Sequence, residues 1–292
     1  MQSEIEWISP LKLYNTINLR YHENAYVSEN FLLICDTRDF LDFSHFHIFL
    51  AKRLDQDSID KKLKELDLIS KEIIVLYDFN SNPAQCDNKL ILIYEKIRKN
   101  AFRNKVKLLD GGFLSFSHLY PYMRSREIVY FDSCISDSEP FPYEVLPNFL
   151  FVGNRNHLNN NMIEEMGIEN LVTSFESDFS SIISMRLDES CNVSMTKFEE
   201  VIRELNLLRD LKKKTLILLD RGDCDQCTVG MALSFCFLLR DNWKIEEAWN
   251  YLKDIMPFLN FPRSLGLRIM ESFSNLAENE VKFWMNKLLF GI

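Results

Sequence analysis

The chain has 292 residues, 47% of them hydrophobic and 26% charged, with a formal net charge of −9. That length favours two domains, and the apolar content excludes a disordered chain. The negative balance argues against a nucleic-acid partner, which needs a basic face to release phosphate counterions.

The stretch from Met1 to Pro10 holds two Glu, no Arg and no apolar run, unlike a signal or transit peptide. The most apolar segment, Val229 to Leu239, is too short to span a bilayer, so no membrane association is expected. The seven cysteines are an odd number and scattered, which fits a reduced cytoplasmic protein better than a disulfide framework.

In chain order, Phe31 to Asp36 is a short apolar run ending in a carboxylate and predicts a buried strand. Ile73 to Asp78 repeats that pattern, and Val106 to Leu109 supplies a third strand. Ile59 to Leu66 and Cys86 to Arg98 are predicted helices between them. The alternation argues for an α/β layer with a mostly parallel sheet. Gly111-Gly112 then makes a tight turn.

Three motifs in this half, Leu33 to Arg38, His47 to Ala51 and Leu108 to Phe113, occur in the order found in rhodanese domains. Residues 1–125 resemble that family. The resemblance implies a sulfur-accepting Cys at the start of the loop after the central strand, and Asp78 occupies that position. A carboxylate cannot hold a persulfide, because that chemistry needs a thiolate. An inactive rhodanese-like domain is therefore expected. Such inert domains precede the phosphatase domain in mitogen-activated protein kinase phosphatases, where a basic cluster docks the kinase. Here the nearest basic pair is Lys52-Arg53, closely followed by Asp55 and Asp57, which reads more simply as an ordinary exposed pair.

Residues 126–141 mix Ser, Asp and Pro without periodicity and read as a linker. Pro147 to Asn154 then resembles the opening strand of dual-specificity phosphatases, and Gly167 to Val172 their next helix-to-strand turn. Thr196-Lys197-Phe198-Glu199 has the form of a capping box. Phe198, Val201, Ile202, Leu205, Leu208 and Leu211 follow at helical spacing as one apolar face. Thr215 to Leu219 is a predicted strand and Thr228 to Leu239 a buried helix. Lys244 to Lys253 and Phe261 to Gly266 resemble the last helical elements of that phosphatase family. Residues 142–278 thus form the second expected domain, and 279–292 a C-terminal helical tail. The expected fold class is α/β in two domains, a rhodanese-like parallel sheet followed by a dual-specificity phosphatase-like domain.

In active members of the phosphatase family, a His-Cys pair ends the strand, five loop residues follow, and Arg-Ser opens the helix. Amides at the helix N-terminus bind phosphoryl oxygens and depress the thiol pKa, and the Arg fork stabilises the transition state. This chain keeps the spacing and changes the chemistry. Asp220 stands for the His, Arg221 for the nucleophilic Cys, and Cys227 for the Arg. Gly222, Asp223, Cys224, Asp225 and Gln226 fill the loop, and Thr228 retains a hydroxyl. Asp188 falls where the general acid belongs. No cysteine is followed by Arg at the sixth position, so no C-x5-R loop exists in the chain. A guanidinium stays protonated and is no nucleophile.

The expectation is a pseudophosphatase, without cofactor or metal, that regulates phosphorylation signalling by binding proteins. The resemblance implies a protein kinase or a phosphoprotein as partner. A phosphate reader is the alternative, but Asp220, Asp223 and Asp225 would each oppose a phosphate dianion by roughly 1–4 kcal/mol. Cys224-x-x-Cys227 leaves a thiol redox sensor as a further alternative. Oligomeric state is not legible.

Overall fold

The structure is a computed structural model, described for residues 5–19, 31–54, 59, 71–100, 104–127, 141–154, 157–173, 182–184, 195–218, 228–257, 259, 261 and 263–272. The chain divides into two compact units, Met1–Pro140 and Phe141–Ile292.

In the first unit, β1 (Trp7–Ile8) and α1 (Pro10–Leu19) precede β2 (Leu32–Asp36), α2 (Phe40–His45), β3 (His47–Ile48) and β4 (Lys52–Arg53). They are followed by β5 (Ile73–Tyr77), α3 (Asn88–Asn100), β6 (Lys105–Leu109), α4 (Gly112–Leu119) and β7 (Arg124–Ser125). The main sheet runs β1-β6-β5-β2-β4, with every neighbouring pair parallel. Parallel strands need cover on both faces, which is why β2 is apolar from Leu32 to Cys35 and all five of its residues are buried. On one face Leu33, Cys35, Ile74, Leu76, Val106 and Leu108 pack against Leu90, Ile93, Tyr94 and Ile97 of α3. That i, i+3, i+4, i+7 spacing on α3 is the helical stripe the sheet requires. Outside this core, the rings of Tyr14 on α1 and Tyr120 after α4 stack at 4.4 Å.

Two expectations for this half are corrected. The third helix starts at Asn88 rather than Cys86, because the Asp87 side chain accepts the Lys89 amide at 2.8 Å and caps the helix from outside. Asp78 has left the strand, which ends at Tyr77. The predicted helix from Ile59 to Leu66 falls, Ile59 apart, outside the described residues.

In the second unit, β8 (Tyr143–Leu146), β9 (Leu150–Val152), α5 (Asn160–Met166), β10 (Asn170–Thr173) and β11 (Ile182–Ser184) come first. Then follow α6 (Met195–Asp210), β12 (Thr215–Leu218), α7 (Thr228–Arg240), α8 (Ile245–Ile255) and α9 (Arg263–Ser272). The sheet order is β11-β10-β12-β9-β8, parallel except for the antiparallel edge strand β8. Helix α7 is apolar over most of its circumference and runs through the core, with Met231, Phe235, Cys236 and Phe237 all buried. Gly230 lets it sit close to the sheet, since a Cβ there would lie 2.7 Å from Val152 Cγ1. Phe235, Trp249 and Phe261 form an edge-to-face cluster with centroids 5.2–6.2 Å apart.

Helix α6 departs from its expected form at both ends. It begins at Met195, so Thr196 lies inside it, and Glu199 pairs with Arg240 of α7 instead of closing a capping box. Phe198, Val201, Ile202 and Leu205 are buried, but Leu211 is 66% exposed. The helix stops at Asp210 and Lys212 adopts a left-handed conformation, so Leu211 is carried off the apolar face.

Edge strand β8 is held by Tyr251 of α8, whose hydroxyl donates to the Val145 carbonyl at 2.5 Å. Burial, and secondarily the carboxylate of Glu144, push the Tyr251 phenol up to about 12. The unfolded chain ionises this group near its usual value of about 10. Between pH 10 and about 12 the folded state holds the extra proton, so stability present below pH 10 is lost as pH rises through that window. Denaturant titrations of the Tyr251→Phe variant are expected to show a shallower alkaline decline than wild type; equal slopes would contradict the assignment.

Candidate functional site

In an open parallel sheet, ligands collect outside the carboxyl ends of the strands where successive connections diverge. In the first unit that point lies between β2 and β5. The segments that leave them, Thr37–Asp42 and Asp78–Leu90, line a cleft of about 540 Å³.

Beneath it Arg38 and Asp36 form a buried ion pair. Arg38 Nε lies 3.0 and 3.1 Å from the two Asp36 carboxylate oxygens, and Nη2 lies 2.6 Å from Oδ2. The same Nη2 donates to the Phe46 carbonyl at 2.7 Å, and the guanidinium carbon sits 3.9 Å above the Phe113 ring. Burial opposes the charge on Arg38, but the hydrogen bond and charge of Asp36 outweigh it and the pKa is raised. Tyr77 closes the floor. Its hydroxyl accepts the Ile48 amide at 3.1 Å, and burial followed by the Asp36 charge raises its pKa well above the usual value. Thr37 ties the two strand ends together, with both its amide and its hydroxyl donating to the Tyr77 carbonyl.

Asp78 lies at the head of the loop after β5. Its Oδ1 accepts the Ser81 amide at 2.8 Å and its Oδ2 the Ser81 hydroxyl at 2.5 Å. Ser81 Oγ in turn accepts the Asp87 amide at 3.0 Å, so the loop closes through a relay from helix α3 to Asp78. The Asp78 carbonyl accepts the Phe113 amide, which secures the loop to the Gly111-Gly112 turn. The loop thus turns its donors onto the chain's own carboxylate. Cys86 also lines the cleft, and burial, with the charges of Asp78 and Asp87, pushes its thiol up. That is opposite to the depression a nucleophilic thiol needs.

Sequence reading located Asp78 and the Asp36-Thr37-Arg38 motif but missed the Ser81 relay. Its signal was present, since a Ser three residues after an Asp is a common side-chain turn.

In the second unit the site predicted from sequence lies mostly outside the described residues. Asp188, Asp220, Arg221, Gly222, Asp223, Cys224, Asp225, Gln226 and Cys227 all fall there. Thr228 is described as the first residue of α7. The flanking elements are in place, with β12 paired to both β9 and β10 and α7 following the loop. Among the described residues no group of His, Cys, Asp and Glu could hold a metal ion, and no helix is long and apolar enough to cross a membrane.

Residues 21–119 match the family model of the rhodanese-like domain. Human dual specificity protein phosphatase 4 is 24% identical over 212 residues, covering 62% of this chain and 52% of that protein. Human dual specificity protein phosphatase 16 is 21% identical over 262 residues, covering 78% of this chain and 39% of that protein. This chain therefore spans about half, or less, of the length of these relatives. Among solved structures, that of DUSP15 superposes with a TM-score of 0.39 at 14% identity, covering 49% of this chain and 94% of its own. An As-Sb reductase from Leishmania major gives 0.33 at 19% identity, covering 44% and 89%. The chain combines a rhodanese-like domain with a distant relationship to dual-specificity phosphatases.

Proposed function

We propose that this protein is a catalytically inactive relative of the dual-specificity phosphatases, a scaffold or regulator of phosphorylation signalling that works by binding proteins. The observation that carries this reading is the nine-residue connection between β12, ending at Leu218, and α7, starting at Thr228. It has the length of a phosphate-binding loop, yet its sequence places Arg221 for the nucleophile and Cys227 for the Arg. A phosphatase site acts as a unit, so loss of the nucleophile alone costs about as much as loss of the whole set. The first unit supports the same conclusion, because Asp78 heads a loop closed on its own carboxylate and burial pushes the Cys86 thiol up rather than down.

The pairing of an inert rhodanese-like domain with a degenerate loop resembles serine/threonine/tyrosine-interacting-like protein 1, a mitogen-activated protein kinase phosphatase-like pseudophosphatase. It departs from that protein at Cys227, where that protein keeps an Arg. We read domain limits of 1–125 and 142–278, a cytoplasmic setting, and a protein kinase or phosphoprotein as partner.

The test is turnover. Purified chain incubated with para-nitrophenyl phosphate and with a phosphotyrosine peptide is expected to release phosphate at the buffer rate. Release that disappears in an Arg221→Ala/Cys227→Ala variant would overturn the reading.

A further inference from the structure

In the first unit, the cleft at the carboxyl ends of β2 and β5 has the charge of a cation receptor. We infer that it receives an arginine or lysine side chain presented by a partner protein. This deepens the proposal above, since it rests on the first unit binding protein rather than transferring sulfur.

Position, charge and an aromatic wall support it independently. The cleft, of about 540 Å³, lies at the divergence point of a parallel sheet, where this architecture exposes loop groups to a ligand. Its walls carry Asp39, Asp42, Asp78 and Asp87. Three of these are fixed in place by backbone amides: Asp39 accepts from Asp42, Asp78 from Ser81, and Asp87 from Lys89. A carboxylate that accepts one or two such bonds keeps further lone pairs for a donor from outside. Against them stand Lys89, exposed at the rim, and Arg38, whose charge is matched by Asp36 beneath. An anion entering here would meet carboxylates and find the guanidinium already engaged. A cation would meet the reverse.

Phe79 supplies the third element. Phe79 lines the cleft and is 49% exposed. An exposed aromatic face next to carboxylates suits a guanidinium or ammonium group, which pairs with the acid at one end and lies over the ring with its flat face or stem. Guanidinium fits best, because its planar fork can engage two carboxylates at once. The occupant is therefore a segment with a basic residue beside an apolar one.

The test uses the full chain, labelled with nitrogen-15, titrated with acetyl-Leu-Arg-Arg-Leu-amide and separately with acetyl-Leu-Glu-Glu-Leu-amide and thiosulfate. Saturable shifts are expected for the arginine peptide alone, confined to the amides of Asp39–Asp42 and Phe79–Lys89. Affinity should fall about tenfold in an Asp42→Asn/Phe79→Ala variant whose spectrum otherwise overlays that of wild type. Shifts scattered over other acidic surfaces, an unchanged affinity in the variant, or binding of thiosulfate in the cleft would each overturn the inference. Failure here leaves the inactive-phosphatase reading standing, because that reading falls only on phosphate release, which this titration does not measure.

Discussion

Replacing Arg38 by Ala is expected to destabilise the first unit by about 3–5 kcal/mol, the usual cost of leaving a buried charge without its partner. Asp36 is fully buried, and Arg38 is 8% exposed. The substitution removes every Arg38 side-chain hydrogen bond to Asp36, one to the Phe46 carbonyl and the stacking on Phe113. The Asp36 carboxylate then keeps the Arg38 backbone amide, 2.9 Å from Oδ1, which cannot balance a full charge. Arg38→Lys keeps the charge but loses the fork, so most of the loss should persist. Urea denaturation followed by a probe in the first unit would measure it. A change below about 1 kcal/mol would match an exposed pair and contradict the burial.

Gly112→Ala is expected to cost about 2–5 kcal/mol in the same unit and to loosen the cleft. Gly112 has φ +55, a region where an L-residue loses about 1–2 kcal/mol. An added Cβ would lie 2.7 Å from the Asp78 carbonyl oxygen and 2.8 Å from both Asn80 N and Phe79 C. All three are backbone atoms, which cannot swing aside as a side chain can, so overpacking adds about 1–3 kcal/mol. Gly167 provides the control. It also has a left-handed φ, but no atom lies within 4 Å of a Cβ built there. Gly167→Ala should show the conformational cost alone, in the second unit. Equal losses at the two positions would mean that the Asp78 loop yields easily.

Legibility from sequence followed the range of the physics involved. The strands Leu32–Asp36 and Ile73–Tyr77 were readable, because a strand buried on both faces is apolar along nearly its whole length. Lys105–Leu109 was readable from Val106, Leu108 and Leu109, with its two lysines exposed or half-buried. The Gly111-Gly112 turn was readable too, since both residues have positive φ. The face of α6 was half readable. Its periodicity reached Leu211, but the helix ended one residue sooner, and a period says nothing of where a helix stops. In the cleft, sequence identified Asp78 as the residue at the head of the loop. It carried the local signal by which Ser81 holds that carboxylate, but could not show that Asp36 would engage Arg38 from below.

The sequence by itself determined the three central strands of the first half, the run from α6 through β12 to α7 in the second, and the chemistry available at each site. It also excluded a C-x5-R loop, because residue identities and spacings need no coordinates. Tertiary structure decided which acids are buried in the fold and which line an open cleft. Asp36 and Asp78 each end a strand run with the same local signature. One is fully buried against a guanidinium, and the other lines an open cleft. The difference arises where β2 meets β5, through contacts between residues some forty positions apart, such as Thr37 with Tyr77. Burial and partnership of a charge depend on such long-range neighbours, and a local pattern of side chains carries no record of them.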